Sequence, residues 1–155
     1  LLAREINNRM ADHVIDLVKD CFAEMRRGIG WSRVAVLGVA FKGNSGDMRN
    51  TPAIPVIEKL TKLGAEIVAQ DPFVELEELK QRVSGPTLTR DVGQAVRNAD
   101  CAILLTDHLE YRRIEAQDLA KLMKRPSAIV DTRHIMEKAD VTAAGIVYRG
   151  IGHGE

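Results

Sequence analysis

The stretch VAVLGVAFKGNSGDMRNTPA, residues 34–53, decides how the rest of the chain reads. Small and β-branched apolar residues run on through Val39, then give way to a polar loop with Gly43, Gly46, Lys42 and Arg49. A short, continuous apolar run between turn signals suits a strand buried on both faces, and such strands belong to parallel sheets. The strand is RVAVLGV. Beyond the loop, TPAIPVIEKLTKLG predicts a helix: Thr51 offers a cap, Pro52 suits the first turn and Gly64 sits at the end. Pro55 fits only if that first turn is irregular.

Working outward, the alternation repeats. AEIVAQDP is a second strand closed by Asp71 and Pro72, LEELKQRV a short helix, and TRDVGQAVRNAD another, capped by Thr89 or Asp91. CAILLTD is a third buried strand, EAQDLAKLMK a helix, SAIVDTR a fourth strand and GIVYRGIG a last edge strand. Strands alternating with helices at this spacing predict an α/β fold with a doubly wound parallel sheet. In front lies REINNRMADHVIDLVKDCFAEMRRG, where Ile6, Met10, Val14, Leu17, Val18, Cys21, Phe22 and Met25 recur at helical spacing. This long amphipathic helix is expected to end at Gly28 and Gly30. Its stripe must be covered, either by the chain's own sheet or by a second copy.

The chain has 155 residues, enough for one hydrophobic core. Lysine plus arginine number 22, and so do aspartate plus glutamate, so no overall field draws the chain to nucleic acid or an anionic membrane. Neither partner is expected, and any anion site must be local. Cys21 and Cys101 lie far apart without C-x-x-C spacing, which argues against a metal site and a disulfide framework and fits a reducing cytoplasm. No apolar run approaches the roughly 18–20 residues needed to span a bilayer, and there is no signal-peptide pattern. The chain opens at Leu1, within the leading helix pattern and without an initiator methionine, so it is expected to be part of something longer.

In open α/β sheets ligands bind outside the carboxyl ends of the strands, where strand order reverses. Four loops qualify: FKGNSGDMRN, QDP, TDH and DTRH. The first does not fit G-x-G-x-x-G, because Gly38, Gly43 and Gly46 have the wrong intervals, nor the phosphate-loop pattern, because Asn44 follows Gly43. It offers Phe41 as an apolar plane for a base or sugar, Lys42 as a mobile point charge and Arg49 as a fork for phosphate. The same residues also make a plain turn, closed by an Asp47–Arg49 pair. Arg133 joins Lys42 on one diphosphate if their strands are neighbours; otherwise it is a surface arginine paired with Asp131. His134 is a switchable donor or a solvated loop residue. Asp71 invites comparison with the carboxylate that grips ribose in dinucleotide sites, but with Pro72 behind it reads first as a turn-former. Asp107 and His108 suggest an acid–base pair or a phosphoacceptor, or else Asp107 caps the next short helix.

VLGVAFKGNSGDMRNTPA closely resembles the start of the C-terminal, UDP-binding domain of the UDP-glucose/GDP-mannose dehydrogenases: a strand, G-x-A-F-K, a polar loop, D-x-R and S/T-P-A. AREINNRMADHV looks like the end of that family's central helical domain, and DPFV, LLTDHLEY and VDTRH follow in the family's order, so the resemblance covers nearly the whole chain. It implies a Rossmann-like sheet, with residues 1–30 ending the helical dimerisation domain and residues 31–155 forming the UDP-sugar-binding domain. The activity implied is an NAD-dependent, four-electron oxidation of a sugar C6 alcohol to a carboxylate through a covalent adduct on a catalytic cysteine, in a homodimer. By the same resemblance Phe41, Lys42 and Arg133 contact the nucleotide sugar, and Arg49 contacts the NAD bound by the preceding domain. The loop wording and DTRH look most like the branch acting on UDP-N-acetylhexosamines, especially UDP-N-acetylmannosamine. Neither KDCFAE nor ADCAIL resembles the family's G-G-x-C-x-P-K-D motif, and the glycine fingerprint is absent. No catalytic residue is therefore expected here, and the chain alone is expected to be inactive. The alternative is a free-standing α/β module that senses a nucleotide or phosphate.

Overall fold

The computed structural model describes residues 2–151. It opens with helix α1 (Leu2–Met25), followed by β1 (Arg33–Leu37), α2 (Ala53–Lys62), β2 (Glu66–Gln70), α3 (Leu76–Arg82), β3 (Thr87–Thr89) and α4 (Val92–Val96). Then come β4 (Cys101–Leu104), a 3-10 turn (Leu109–Arg113), α5 (Ala116–Leu122), β5 (Ala128–Asp131), α6 (Lys138–Ala143) and β6 (Val147–Gly150). All strand pairs are parallel, and the order across the sheet is β3-β2-β1-β4-β5-β6. The expected doubly wound sheet is present.

The apolar runs are continuous because the two faces of each strand enter different cores. Val34, Val36, Ile67, Ala69, Ile103 and Val130 face one cluster, shared with α1, α2 and α3. Ala35, Leu37, Val68, Ala102, Leu104 and Ile129 face the other, shared with α4, α5 and α6. A period of two on a sheet covered on both sides produces no polar positions. β3 escaped the sequence reading for the opposite reason: its three residues, Thr-Leu-Thr, bury no side chain completely at the sheet edge. α6, a six-residue helix with only Val141 fully buried, also escaped it.

α1 packs on its own sheet over Ala11, Val14, Ile15, Leu17, Val18, Cys21, Phe22 and Met25, all of them buried. Lys59 of α2 pairs with Asp12 at 3.0 Å, and Arg149 of β6 pairs with Glu24. The N-terminal end of the stripe is different: Leu2, Ile6 and Met10 are 70 %, 53 % and 40 % exposed. Cys21 and Cys101 lie within the same core, and burial pushes the Cys21 thiol up to about 12, so neither is poised as a nucleophile.

The helix stops short of the two glycines expected to end it. Arg26, at φ 58°, takes the left-handed position, with its N–H on Ala23 O at 3.1 Å and the Arg27 N–H on Phe22 O at 3.0 Å. This pair of bonds is a Schellman closure. Arginine pays a steric penalty there that glycine avoids, partly offset by the greater freedom of glycine in the unfolded chain. Arg26→Gly is therefore expected to stabilise the fold by about 0.5 kcal/mol, read as a small rise in the thermal midpoint. At the end of α2 the expected residue does the same work: Gly64, at φ 92°, bonds Thr61 O at 3.0 Å, and Ala65 N–H reaches Leu60 O at 3.1 Å.

Among the described residues no helix is long and apolar enough to cross a membrane, and no group of metal-ligating side chains is placed to hold a metal ion.

Candidate functional site

β1 is followed outward by β2 and β3 on one side, while β4, β5 and β6 build out on the other. The carboxyl ends of β1 and β4 therefore flank the crevice where such sheets bind ligands. Residues 38–52 leave β1 there, and residues 105–108 leave β4. The first turn is cramped: Gly38 has φ 98°, and a Cβ on it would lie 2.6 Å from Thr106 Cβ. A Cβ on Gly43 would lie 2.5 Å from the Asp107 backbone oxygen. Both glycines mark places where the β4 segment crosses the loop.

Four consecutive residues after β4 fasten that crossing. Thr106 Oγ1 donates to Ala40 O at 2.8 Å, and Asp107 Oδ1 accepts the Gly43 N–H at 3.1 Å. His108 Nδ1 accepts the Asn44 N–H at 2.9 Å, and the Leu109 N–H returns to Asn44 Oδ1 at 2.9 Å. Asn44 sits at φ 57°, a left-handed position that asparagine tolerates better than most residues. On the far side Thr51 Oγ1 donates to Val39 O at 2.6 Å and accepts the Ala53 N–H at 3.2 Å, so it serves the start of α2 as expected.

Asp71, fully buried at the end of β2, is the hub beneath the loop. Its Oδ2 accepts the N–H groups of Val39 (2.8 Å) and Ala40 (3.0 Å) and lies 2.9 Å from His108 Nε2; its Oδ1 accepts those of Phe73 (2.8 Å) and Val74 (3.0 Å). Burial pushes this carboxyl upward, but the His108 bond and the backbone bonds from Val39, Phe73 and Ala40 outweigh it and hold the group below its ordinary value. Because both oxygens are taken, Asp71 is the turn-former and not a ribose grip. Asp131 plays the same part at the end of β5: it accepts from the N–H groups of Arg133 (3.2 Å), Ile135 (2.9 Å) and Met136 (2.8 Å) and from the Tyr148 hydroxyl (3.1 Å).

The candidate side chains surround this framework. Phe41 is 48 % exposed, and Lys42 is exposed beside it. Arg133 is not paired with Asp131 through its guanidinium; its Nη2 lies 3.4 Å from Asp107 Oδ2. The strands that carry Lys42 and Arg133 are not neighbours, since β4 lies between β1 and β5. Asp107 spans the gap, with Gly43 N–H on one oxygen and Arg133 on the other. Arg49 stands apart, with its exposed guanidinium clasped by Asp47 at 2.8 and 3.0 Å. The Arg49 side chain and N–H hold the Asp47 carboxyl down at about 2, which is the closing pair expected of a plain turn. Asp107 and His108 share no hydrogen bond among the described residues and do not form an acid–base pair. A separate cleft of about 390 Å³ between α5 and α6 is lined by Glu115, Glu137 and Asp140 against one Arg112, a charge balance that repels a diphosphate.

Sequence reasoning passed over the parts played by Asn44, Asp107, His108 and Asp131. A hint was available: an aspartate directly after a buried strand, as in QDP and VDTR, tends to take the following backbone N–H groups.

The parallel strand order and the charged loop at its switch point define a Rossmann-like α/β domain. The chain belongs to the UDP-glucose/GDP-mannose dehydrogenase family: residues 35–138 match its UDP binding domain. It is 36 % identical over 121 residues to the UDP-glucose 6-dehydrogenase of Rhizobium meliloti, covering 78 % of this chain and 27 % of that protein. It is 30 % identical to the UDP-N-acetyl-D-mannosamine dehydrogenase of Pyrococcus horikoshii, covering 99 % of this chain and 33 % of the relative. The crystal structure of an NDP-N-acetyl-D-galactosaminuronic acid dehydrogenase from Methanosarcina mazei superposes with a TM-score of 0.87 at 32 % identity, over 97 % of this chain and 31 % of that one. The chain thus spans about a third of the length of these relatives.

Proposed function

We propose that this chain forms the nucleotide-sugar side of an NAD-dependent UDP-sugar 6-dehydrogenase, which oxidises the C6 alcohol of a UDP-hexose or UDP-N-acetylhexosamine to the uronate. The observation that carries this reading is the placement of the Lys42 loop at the switch point, tied through the Gly43 N–H to one oxygen of Asp107, whose other oxygen holds Arg133. In this reading Lys42 and Arg133 take the diphosphate and Phe41 lies against the base or sugar. UDP-N-acetylmannosamine is the preferred substrate, supported by the wording of the β1 loop and of DTRH. Arg49, with its side chain 86 % exposed, faces the NAD held by the rest of the enzyme. The reading puts the cofactor's main site outside this chain, which carries no G-x-G-x-x-G fingerprint, and the occupied oxygens of Asp71 agree with that. The nucleophile lies outside it too, because Cys21 and Cys101 are buried.

Residues 1–30 belong with a helical dimerisation domain and residues 31–155 with the UDP-binding domain, and the exposed Leu2, Ile6 and Met10 of α1 supply the start of a homodimer contact. The cytoplasm is the compartment that suits NAD chemistry and two unpaired thiols.

Titration of the chain with UDP, followed by ligand-observed NMR, tests the site. The Lys42→Ala, Arg133→Ala double variant is expected to bind UDP at least about thirtyfold more weakly, since two charge-assisted contacts of about 1 kcal/mol or more are lost. Equal binding by variant and parent rejects these roles. NAD binding alone, without UDP, rejects the reading of the loop.

A further inference from the structure

Phe41, Lys42 and Gly43 form an arch whose two feet rest on one buried pair. Residues 39 and 40 stand on Asp71 Oδ2 through their N–H groups, at 2.8 and 3.0 Å. Asn44 stands on His108 Nδ1 at 2.9 Å, and His108 Nε2 meets the same Asp71 oxygen at 2.9 Å. His108 is fully buried and packed between rings, 5.2 Å from Phe73 and 5.3 Å from Tyr111. It therefore cannot reach a ligand in the crevice.

The tautomer follows from the partners. A backbone N–H only donates, so Nδ1 carries the lone pair and Nε2 carries the hydrogen that is donated to Asp71. A ring turned over would set a hydrogen against the Asn44 N–H and a lone pair against a carboxylate.

We infer that His108 is a positioning residue for nucleotide-sugar binding: with Asp71 it closes the base of the arch and so fixes where Lys42 is presented. This rests on the reading that Lys42 contacts the diphosphate. Three neighbouring bonds would hold a loop in place without it: Gly43 to Asp107, Leu109 to Asn44 and Phe41 N–H to Asp47 O. What His108 adds is a rigid link between the two feet.

The two nitrogens can be separated by substitution. His108→Gln keeps a donor near the Nε2 position but offers Asn44 no acceptor; His108→Asn places an acceptor near Nδ1 and gives up the Asp71 contact. UDP is the probe. His108→Gln and His108→Asn are each expected to lose about tenfold in affinity, the effect of one unmade buried bond, because each breaks one end of the link between the two feet. In the unmodified chain, long-range ¹H–¹⁵N spectra are expected to show Nε2–H with Nδ1 unprotonated, and the Asn44 amide is expected to exchange slowly.

Folded variants that both bind UDP like the parent overturn the inference, as does a hydrogen on Nδ1. If neither variant folds, the ring spectrum and the Asn44 exchange decide. If the unmodified chain does not bind UDP, the proposed function fails and the ligand part of the inference with it; faster exchange at residues 41–44 in His108→Gln then still shows that His108 fixes the loop, and unchanged exchange removes that part as well.

Discussion

Replacing Asp71 by alanine is expected to lower the thermal midpoint by about 8–16 °C, the consequence of losing about 4 kcal/mol in a domain of this size. The carboxylate accepts from five donors: the N–H groups of Val39, Ala40, Phe73 and Val74, and His108 Nε2. All five lose their acceptor together, in a place sealed from solvent, and an unmade buried bond costs more than a made one contributes. Asp71→Asn is expected to cost less, because it keeps the shape and one oxygen, yet its amide hydrogens must face backbone donors at one end. The acid limb separates the charge from the shape. The folded carboxyl lies below its ordinary value of 3.8, so at pH values between the two the unfolded chain holds a proton that the folded chain does not. The contribution of Asp71 is therefore complete above about pH 4 and drains away as the pH falls toward the folded value. Thermal melts from pH 7 to pH 3 are expected to fall more steeply for the parent than for Asp71→Asn. Parallel curves would show that some other group governs the acid limb.

Gly38→Ala is expected to cost about 3 kcal/mol, or about 6–12 °C. Two penalties coincide at that residue. Its φ of 98° is strained for any L side chain, and the new methyl carbon would stand 2.6 Å from Thr106 Cβ and Oγ1 and 2.8 Å from Thr106 N. Removing the Thr106 hydroxyl does not clear the clash, because the Thr106 backbone is itself within reach. The Thr106→Ala, Gly38→Ala double variant is therefore expected to remain close to the single variant in stability. Recovery of the parent midpoint would show that only the hydroxyl was in the way. Gly38 also donates to Gln70 O at 2.8 Å, extending the β1–β2 ladder by one bond. Displacing it is expected to move the start of the whole β1 loop, and with it Lys42, so UDP affinity should fall alongside stability.

The buried strands were legible because RVAVLGV, CAILLTD and SAIVDTR are apolar on both faces, a pattern that only a sheet covered on two sides explains. The helix ends were legible where glycine marked them, at Gly64, and not where Arg26 took a left-handed position without it. Phe41, Lys42, Arg49 and Arg133 could be named from the sequence because loop charge at strand ends stands out. The residues that hold them in place could not. Asp107 and His108 read as possible chemistry since they are adjacent in TDH, but adjacent residues in an extended turn point different ways. One took Gly43 and Arg133, and the other took Asn44 and Asp71, partners 26 to 64 positions away for which local pattern carries no information. Asp131 reads in the sequence only as a partner for the Arg133 side chain; what it binds, apart from the Tyr148 hydroxyl, is backbone, and backbone leaves no mark in composition.

α1 comes first in the chain, yet it is seated partly on strands that come last. Its Glu24 meets Arg149, 125 positions later, and its stripe lies against the core that β5 completes. During synthesis at about 5–20 residues per second, that interval is about 6–25 s. For that time the apolar stripe of α1 has only part of its eventual seat, while β1, β2 and α2 are already available to pair. Among the described residues, α1 is therefore the helix that waits longest for the last part of its seat to be made.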